Sequence, residues 1–201
     1  MPSPSDPPQR RLLHRRSLEV EIYALGSGRW EVQARLTDIK TRDHEMVDGL
    51  RRAGTPIHDL GLRLVIDAEM NILESGSDSN WVPYPGHCAE HGDAYAALTG
   101  LNLARGFRRE VVQRLGGTRG CTHLSELAQV LPSAVIQGLV GETIHPRDFD
   151  GSTTPPFPLD RCHALRRDGE VVRLHYPRWY RQPHANKGTD NESEQAGHAP
   201  R

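Results

Sequence analysis

Two segments in the first half of the chain alternate apolar and polar residues, and this pattern restricts the fold more than any other feature. Apolar residues occupy every second position over 18–23, and the alternation resumes over 30–36 after the turn Gly26-Ser27-Gly28. A period of two matches the alternating side chains of a β-strand. A short glycine-rich turn between two such strands is typical of an antiparallel hairpin. The pattern therefore predicts a hairpin with one face in water.

A second hairpin is predicted further along the chain. Leucine and isoleucine alternate with other residues over 60–66, a turn follows near 67–69, and the chain returns over 71–74. An isolated hairpin is only marginally stable in water, whereas four strands with a shared apolar face make a stable sheet. We therefore expect the two hairpins to form a four-stranded antiparallel sheet.

The second half of the chain shows helical spacing instead. A short helix is predicted over 93–98, a longer one over 105–115, and a third over 122–131 that ends at Pro132 and is followed by a new turn or helix over 133–139. A last apolar stretch over 171–176 predicts a strand. The predicted fold class is α+β, with an antiparallel sheet of about four strands followed by a helical layer and a C-terminal strand.

Length and composition favour one domain with two tails. The chain has 201 residues, of which 36% are hydrophobic, which is enough for one core. Residues 1–13 are rich in proline, serine and arginine, and residues 183–201 are polar without apolar periodicity, so both are expected to be disordered. A single α+β domain is expected over 14–182.

Charge and cysteine content exclude several classes of protein. Lys and Arg total 25 against 26 Asp and Glu, so no overall basic field is available to bind nucleic acid or an anionic membrane. The chain has no apolar segment of membrane-spanning length and no secretory signal pattern, which favours a cytoplasmic protein. Its three cysteines are an odd number and lie far apart, which argues against a disulfide framework and leaves metal binding or thiol chemistry.

The run Gly120-Cys121-Thr122-His123-Leu124 combines residue types that carry chemistry with a predicted helix start. The partial positive charge and free N–H groups of a helix N-terminus favour a thiolate, which is a nucleophile or a metal ligand. The alternative is structural, since Thr122 can cap the helix and leave Cys121 as a small buried apolar residue. The run indicates a functional site but does not identify its reaction.

A metal site is one hypothesis for this run. Thiolate, imidazole and carboxylate ligands suit zinc or iron, and the candidate ligands are His58, Asp59, Cys88 and Cys121. Their spacing is not a compact metal motif, so the site depends on the fold bringing them together. Cys121 and His123 diverge on a regular helix unless one of them lies at the cap.

A metal-free enzyme with a cysteine nucleophile is the second hypothesis. Cys121 would attack the substrate, with His123 or His58 as base and Asp59 or Asp38 as the carboxylate that orients it. Such a set would serve acyl transfer or hydrolysis.

A third hypothesis is proton abstraction and elimination on a small organic acid or aromatic compound. His58, Asp59 and Lys40 would move protons, and Arg119 would hold a carboxylate of the substrate. Taken together, the residues favour a metal- or thiol-dependent hydrolase or lyase with a small-molecule ligand. A non-catalytic metal or iron–sulfur carrier and an interaction domain without a site remain alternatives, and Cys88 and Cys162 also fit simple packing.

Four motifs in the chain occur together in one known family: Leu36-Thr37-Asp38-Ile39-Lys40, Gly54-Thr55-Pro56-Ile57-His58-Asp59, the run from Gly116 to Leu124 and Leu159-Asp160-Arg161-Cys162. Through them the chain resembles a family of uncharacterised bacterial proteins, the domain of unknown function family DUF2889. The resemblance covers about residues 14–182 and is most specific at the Gly-Cys-Thr-His-Leu run. Since this family has no settled activity, the resemblance indicates which positions of the chain matter but does not indicate a reaction. A weaker fold-level similarity is to iron–sulfur scaffold proteins, in which a cysteine near a helix start joins ligands from sheet loops.

Overall fold

The structure is a computed structural model that describes residues 10–88, 90, 93–144 and 153–183. Contacts between residues divide the chain into two compact units, Met1–Ile144 and His145–Arg201, and each is described by itself. Most of the two predicted disordered tails lies outside the described residues. The single domain over 14–182 stays a prediction.

The first unit is built on a four-stranded antiparallel sheet, as predicted. The strand order is β1-β2-β5-β6. Short turns connect β1 with β2 and β5 with β6, whereas residues 41–55, which include β3 and β4, connect β2 with β5. The small β3–β4 hairpin lies between β2 and β5 in the sequence and forms a separate two-stranded sheet. Its three-residue strands are too short to show a period in the sequence. The strands are β1 (His14–Gly26), β2 (Arg29–Lys40), β3 (His44–Met46), β4 (Gly49–Arg51), β5 (Pro56–Asp67) and β6 (Ile72–Trp81).

One face of this sheet carries the core. Val32, Ala34 and Leu36 of β2 are buried, and they are paired with the buried leucines of β5. Because side chains alternate between the two faces of a strand, Asp38 lies on the same face as these residues. A charged group is thereby placed at the end of an apolar row.

Helices cover the core face. A 3-10 helix (Ala94–Leu98) is followed by α1 (Phe107–Leu115) and α2 (Thr122–Gly138), which confirms the predicted helical layer. The predicted end of the third helix at Pro132 is wrong, because α2 continues through that residue. Pro132 is buried between Leu131 and Val135, and packing of this kind offsets the local cost of proline inside a helix. No helix in the described ranges is both long enough and apolar enough to span a membrane.

The second unit contains a short helix where a strand was predicted. Glu170–His175 forms α3, and Val172 and Tyr176 pack with Leu159 in a small core. These two residues are four apart, so a helix places them on one side. The prediction of a C-terminal strand is therefore wrong, because a short apolar run does not distinguish a strand from a buried helix.

Candidate functional site

Three polar residues from neighbouring strands form a row at one end of the sheet. Asp38 of β2 lies directly opposite Arg16 of β1 on one side and opposite His58 of β5 on the other. Cross-strand partners of this kind have their side chains on the same face and in contact. The strand register alone thus brings together residues that are 20 and 22 positions apart in the sequence.

Asp38 is the centre of this row and is only 1% exposed. Its Oδ1 accepts hydrogen bonds from Arg16 Nε (2.8 Å) and His14 Nε2 (2.8 Å). Its Oδ2 accepts hydrogen bonds from Arg16 Nη2 (2.6 Å) and His58 Nδ1 (2.9 Å). A carboxylate offers about four acceptor positions, so those of Asp38 are filled.

The Asp38 carboxylate is held in its ionised form. Burial by itself would raise its pKa, but hydrogen bonds from Arg16, His14 and His58, with the positive charge of Arg16, lower the pKa to about 2. The same contacts raise the pKa of Arg16 further above its usual value. The two residues therefore form a bidentate ion pair over the whole physiological range.

His123, in the first turn of α2, lies against His58. The centroids of the two imidazole rings are 3.9 Å apart and the rings are tilted by 35°. Burial is the largest cause of the lowered pKa of His123, and repulsion from His58 and Arg16 lowers the pKa further. His123 is therefore neutral at physiological pH.

Cys121 is the N-cap of α2, which lets it approach His123. Its Sγ lies 3.9 Å from His123 Nδ1, so these two side chains meet because one of them is at the cap. The Cys121 carbonyl oxygen accepts a hydrogen bond from the Tyr95 hydroxyl at 2.7 Å. Arg16 Nη1 reaches Glu126 of α2 at 2.7 Å and joins the helix to the sheet. The site thus lies between the sheet and the start of α2.

Some residues predicted for the site lie elsewhere. Asp59 is on the opposite face of the sheet from His58, and its Oδ1 lies 2.6 Å from Arg35 Nε. Arg119 donates hydrogen bonds from Nε and Nη2 to the carbonyl oxygens of Arg114 and Gln113 in the last turn of α1, so its contacts are those of a helix cap.

The remaining candidates also have other contacts. Lys40 ends β2 opposite His14, and its carbonyl oxygen accepts a hydrogen bond from Gly54 N. Cys88 is half-buried in the segment after β6, where its N–H donates to the Tyr84 carbonyl. The structure groups three ligand-type residues, Asp38, His58 and His123, with one candidate ligand atom from each within 4.8 Å of the others.

Asp38 and His58 are site residues that the sequence predicted, whereas Arg16 and His14 were not predicted. A signal was available in the alternation of the strands. Arg16, Asp38 and His58 all occupy positions of the apolar face, at the end of each alternating segment. Charged residues on the buried face of three adjacent strands indicate a paired cluster, since an unpaired buried charge is costly.

Gly120 fixes the position of Cys121, and its replacement by alanine tests this role. A Cβ at Gly120 would lie 2.9 Å from the Leu115 carbonyl oxygen and 3.1 Å from the Tyr95 hydroxyl. We expect Gly120→Ala to lower the free energy of unfolding by about 1–3 kcal/mol, measured by urea denaturation. Gly76→Ala is the matched control, because a Cβ there meets nothing within 4 Å. Equal stability of the two variants would contradict the tight packing of Gly120.

The ionisation of Asp38 predicts a pH-dependent stability. Its pKa is about 2 in the folded protein and 3.8 for the ordinary group, so the stabilisation is present above pH 4 and is lost as the pH falls towards 2. The expected loss is about 2 kcal/mol. Urea denaturation of the wild type and Asp38→Asn between pH 5 and 2 isolates this contribution, because their difference in stability should shrink by that amount. A constant difference would contradict the lowered pKa.

Comparison with known proteins identifies a family without assigning a reaction. The family model described as "Protein of unknown function (DUF2889)" matches residues 14–137, which is more than half of the chain. No curated protein and no solved structure matched the chain, so the similarity to iron–sulfur scaffold proteins has no support. The matched region contains Asp38, His58 and His123 and spans the sheet, α1 and most of α2. The chain belongs to the DUF2889 family.

Proposed function

We propose that the protein is an enzyme of small-molecule metabolism, a lyase, that uses His58 and His123 to transfer protons. The observation that carries this proposal is the hydrogen bond from His58 Nδ1 to the buried, ionised Asp38, with the His123 ring 3.9 Å from that of His58. A carboxylate that orients a histidine beside a second histidine is a means of positioning acid–base groups.

Asp38 gives His58 a defined orientation. Because the ionised carboxylate only accepts hydrogen bonds, Nδ1 of His58 carries the proton of that bond. Nε2 is then the nitrogen that exchanges a proton with a substrate. Arg16 holds both oxygens of Asp38 and keeps the carboxylate from turning away. The chain thus supplies a histidine of fixed tautomer on a rigid strand.

His123 supplies a second proton-transfer group of different character. Its lowered pKa keeps the imidazole neutral, whereas the His58 ring is oriented by its hydrogen bond to the Asp38 carboxylate. Elimination needs one group to remove a proton and another to protonate the leaving group. The unequal environments of the two rings fit this division of roles.

A hydrolase with Cys121 as nucleophile is supported less well by the distances. A nucleophile and its base usually lie about 2.6–3.2 Å apart, whereas Cys121 Sγ is 3.9 Å from His123 Nδ1. The hydrogen bond between Asp38 and His58, on which the elimination reaction relies, is shorter at 2.9 Å.

A metal-dependent enzyme is the second candidate, favoured by the grouping of Asp38, His58 and His123 within 4.8 Å. The donor set suits zinc or iron. Two features oppose direct ligation by all three: the acceptor positions of Asp38 are filled, and the imidazole rings are too close. When two imidazoles bind one tetrahedral ion through metal–nitrogen bonds of about 2.0 Å, their ring centroids lie about 5 Å apart. Metal binding would therefore require the rings to separate by about 1 Å.

A substrate panel combined with metal analysis tests both candidates. The full chain, without a histidine tag, is assayed with small hydroxy acids and aromatic acids before and after dialysis against a chelator, and its zinc and iron content is measured. Turnover that survives chelation supports the acid–base lyase. Stoichiometric metal that is lost in His58→Gln supports the metal enzyme instead. Absence of metal together with no binding or turnover of any compound contradicts both.

A further inference from the structure

The outer edge of β1 carries a second functional surface, which does not depend on the proposed reaction. β1 is 13 residues long and is the first strand of the order β1-β2-β5-β6, so among the described strands it pairs only with β2. The opposite edge strand, β6, is contacted by the 3-10 helix, since Ser75 Oγ donates a hydrogen bond to the Tyr95 carbonyl at 2.9 Å. The edge of β1 therefore offers a row of backbone donors and acceptors for another strand.

Apolar side chains follow this edge and are exposed. Leu13, just before β1, is 52% exposed, and Leu18 and Tyr23 in the strand are 38% and 45% exposed. Edge strands of monomeric proteins usually contain proline, are short, or are interrupted by bulges. β1 contains no proline, and its irregularity lies at the far end, between Ala24 and Gly26. The charged residues on the outer face of β1 have both signs (Arg15, Glu19 and Glu21), so they disfavour only those registers that bring like charges together.

We propose that β1 pairs antiparallel with β1 of a second copy of this chain, about a twofold axis at Leu18. This register places Arg15 opposite the partner copy's Glu21, and Leu13 opposite its Tyr23. Both pairs occur twice in the dimer, and both lie on the sheet face that points away from the core. The sequence of β1 is thus complementary to itself.

Neighbouring registers are less favourable. Moving the axis by one residue to Glu19 places the two Glu19 carboxylates opposite each other, which is a destabilising like-charge pair. Moving it to Ser17 places Leu13 opposite Glu21 and loses the apolar pair with Tyr23. Charge and apolar pattern together select the axis at Leu18.

This pairing would join two four-stranded sheets into one of eight strands. β1 also carries His14 and Arg16, whose side chains hold Asp38. If a second copy pairs with β1 and stabilises this strand, it would therefore also stabilise the row of polar residues in each subunit. The pairs Arg15–Glu21 and Leu13–Tyr23 can be tested apart from the enzyme, because these residues lie on the opposite sheet face from His14 and Arg16, whereas Leu18 at the axis lies on the same face as the site.

Charge reversal tests the register directly. Sedimentation equilibrium of the full-length wild type is expected to show a dimer. Arg15→Glu places a glutamate opposite the partner copy's Glu21 at two positions, and it should weaken the dimer by about tenfold or more. Glu21→Arg should have the same effect, and the double variant R15E/E21R should restore association. Leu18→Lys, which places two lysines at the axis, should also dissociate the dimer.

Leu73→Lys is the matched control, because Leu73 is an exposed leucine on the opposite edge strand and lies outside the proposed interface. Circular dichroism and thermal unfolding establish that each variant is folded. A wild type that is monomeric at its highest soluble concentration would overturn the proposal. A dimer that is unaffected by Arg15→Glu, or that the double variant fails to restore, would overturn it as well.

Discussion

Replacement of Asp38 by asparagine is expected to lower the free energy of unfolding by about 3–5 kcal/mol at neutral pH. The amide has nearly the shape of the carboxylate but no charge and only one acceptor oxygen. Arg16 would therefore lose its bidentate partner, and one of the two histidines, His14 or His58, would face an NH2 donor in place of its acceptor. Arg16, which is only 31% exposed, keeps its charge under these conditions and retains only Glu126, which is itself 47% exposed, as an acidic partner. Urea denaturation at neutral pH measures the loss.

Asp59→Asn is the matched control for this prediction. Asp59 follows His58 in the sequence and pairs with Arg35, but that arginine is 44% exposed on the outer face of the sheet. An exposed ion pair contributes about 1 kcal/mol or less. A loss of equal size in the two variants would show that the buried row has no special role in stability. Combining Asp38→Asn with Arg16→Met should recover part of the loss, because the arginine charge is then removed, and the carboxylate of its other partner, Glu126, is 47% exposed to water.

Replacement of His58 by glutamine is expected to reduce kcat/KM by about 10²–10⁴-fold for the substrate that the panel identifies. Glutamine can still donate a hydrogen bond to Asp38, so the fold is retained, but it cannot exchange a proton at physiological pH. His123→Gln should also reduce kcat, because it removes the second proton-transfer group. Steady-state kinetics over a range of pH measure both effects.

His87→Gln is the control for the loss of a histidine. His87 is exposed, in the segment after β6, and its Nδ1 lies 2.6 Å from the Glu90 carboxylate. It therefore resembles His58 in having a carboxylate partner, but its side chain is exposed. Activity that falls equally in His58→Gln and His87→Gln, or that survives in His58→Gln, would contradict the assigned role.

The alternation of residues in the first half of the chain was enough to predict the sheet. Residues 18–36 and 60–66 bury one face each, and a slip of one position would expose every apolar side chain, so the register follows from the pattern. Helical spacing predicted α1 and α2 in the same way, apart from the continuation of α2 through Pro132. Over 171–176 the pattern was too short, and packing of Val172 and Tyr176 in a small core produced a helix.

For the site, the sequence predicted the residues but not which of them are partners. His58 and Asp59 looked like partners because they are adjacent in the sequence, but adjacent residues of a strand lie on opposite faces. Asp38, twenty positions away, is the partner of His58 because the β2–β5 register places the two opposite each other. Adjacency in the sequence therefore did not predict which side chains contact each other within the sheet.

The sequence by itself determined the residue types of the site, the strand faces that carry Arg16, Asp38 and His58, and the helix start that carries Cys121 and His123. Only the tertiary structure decided which of these groups meet, because this depends on the pairing of β1 and β5 with β2 and on the packing of α2 over one end of the sheet. Hydrogen bonds and electrostatic contacts act over a few ångströms, whereas these residues are separated by up to about a hundred positions in the chain.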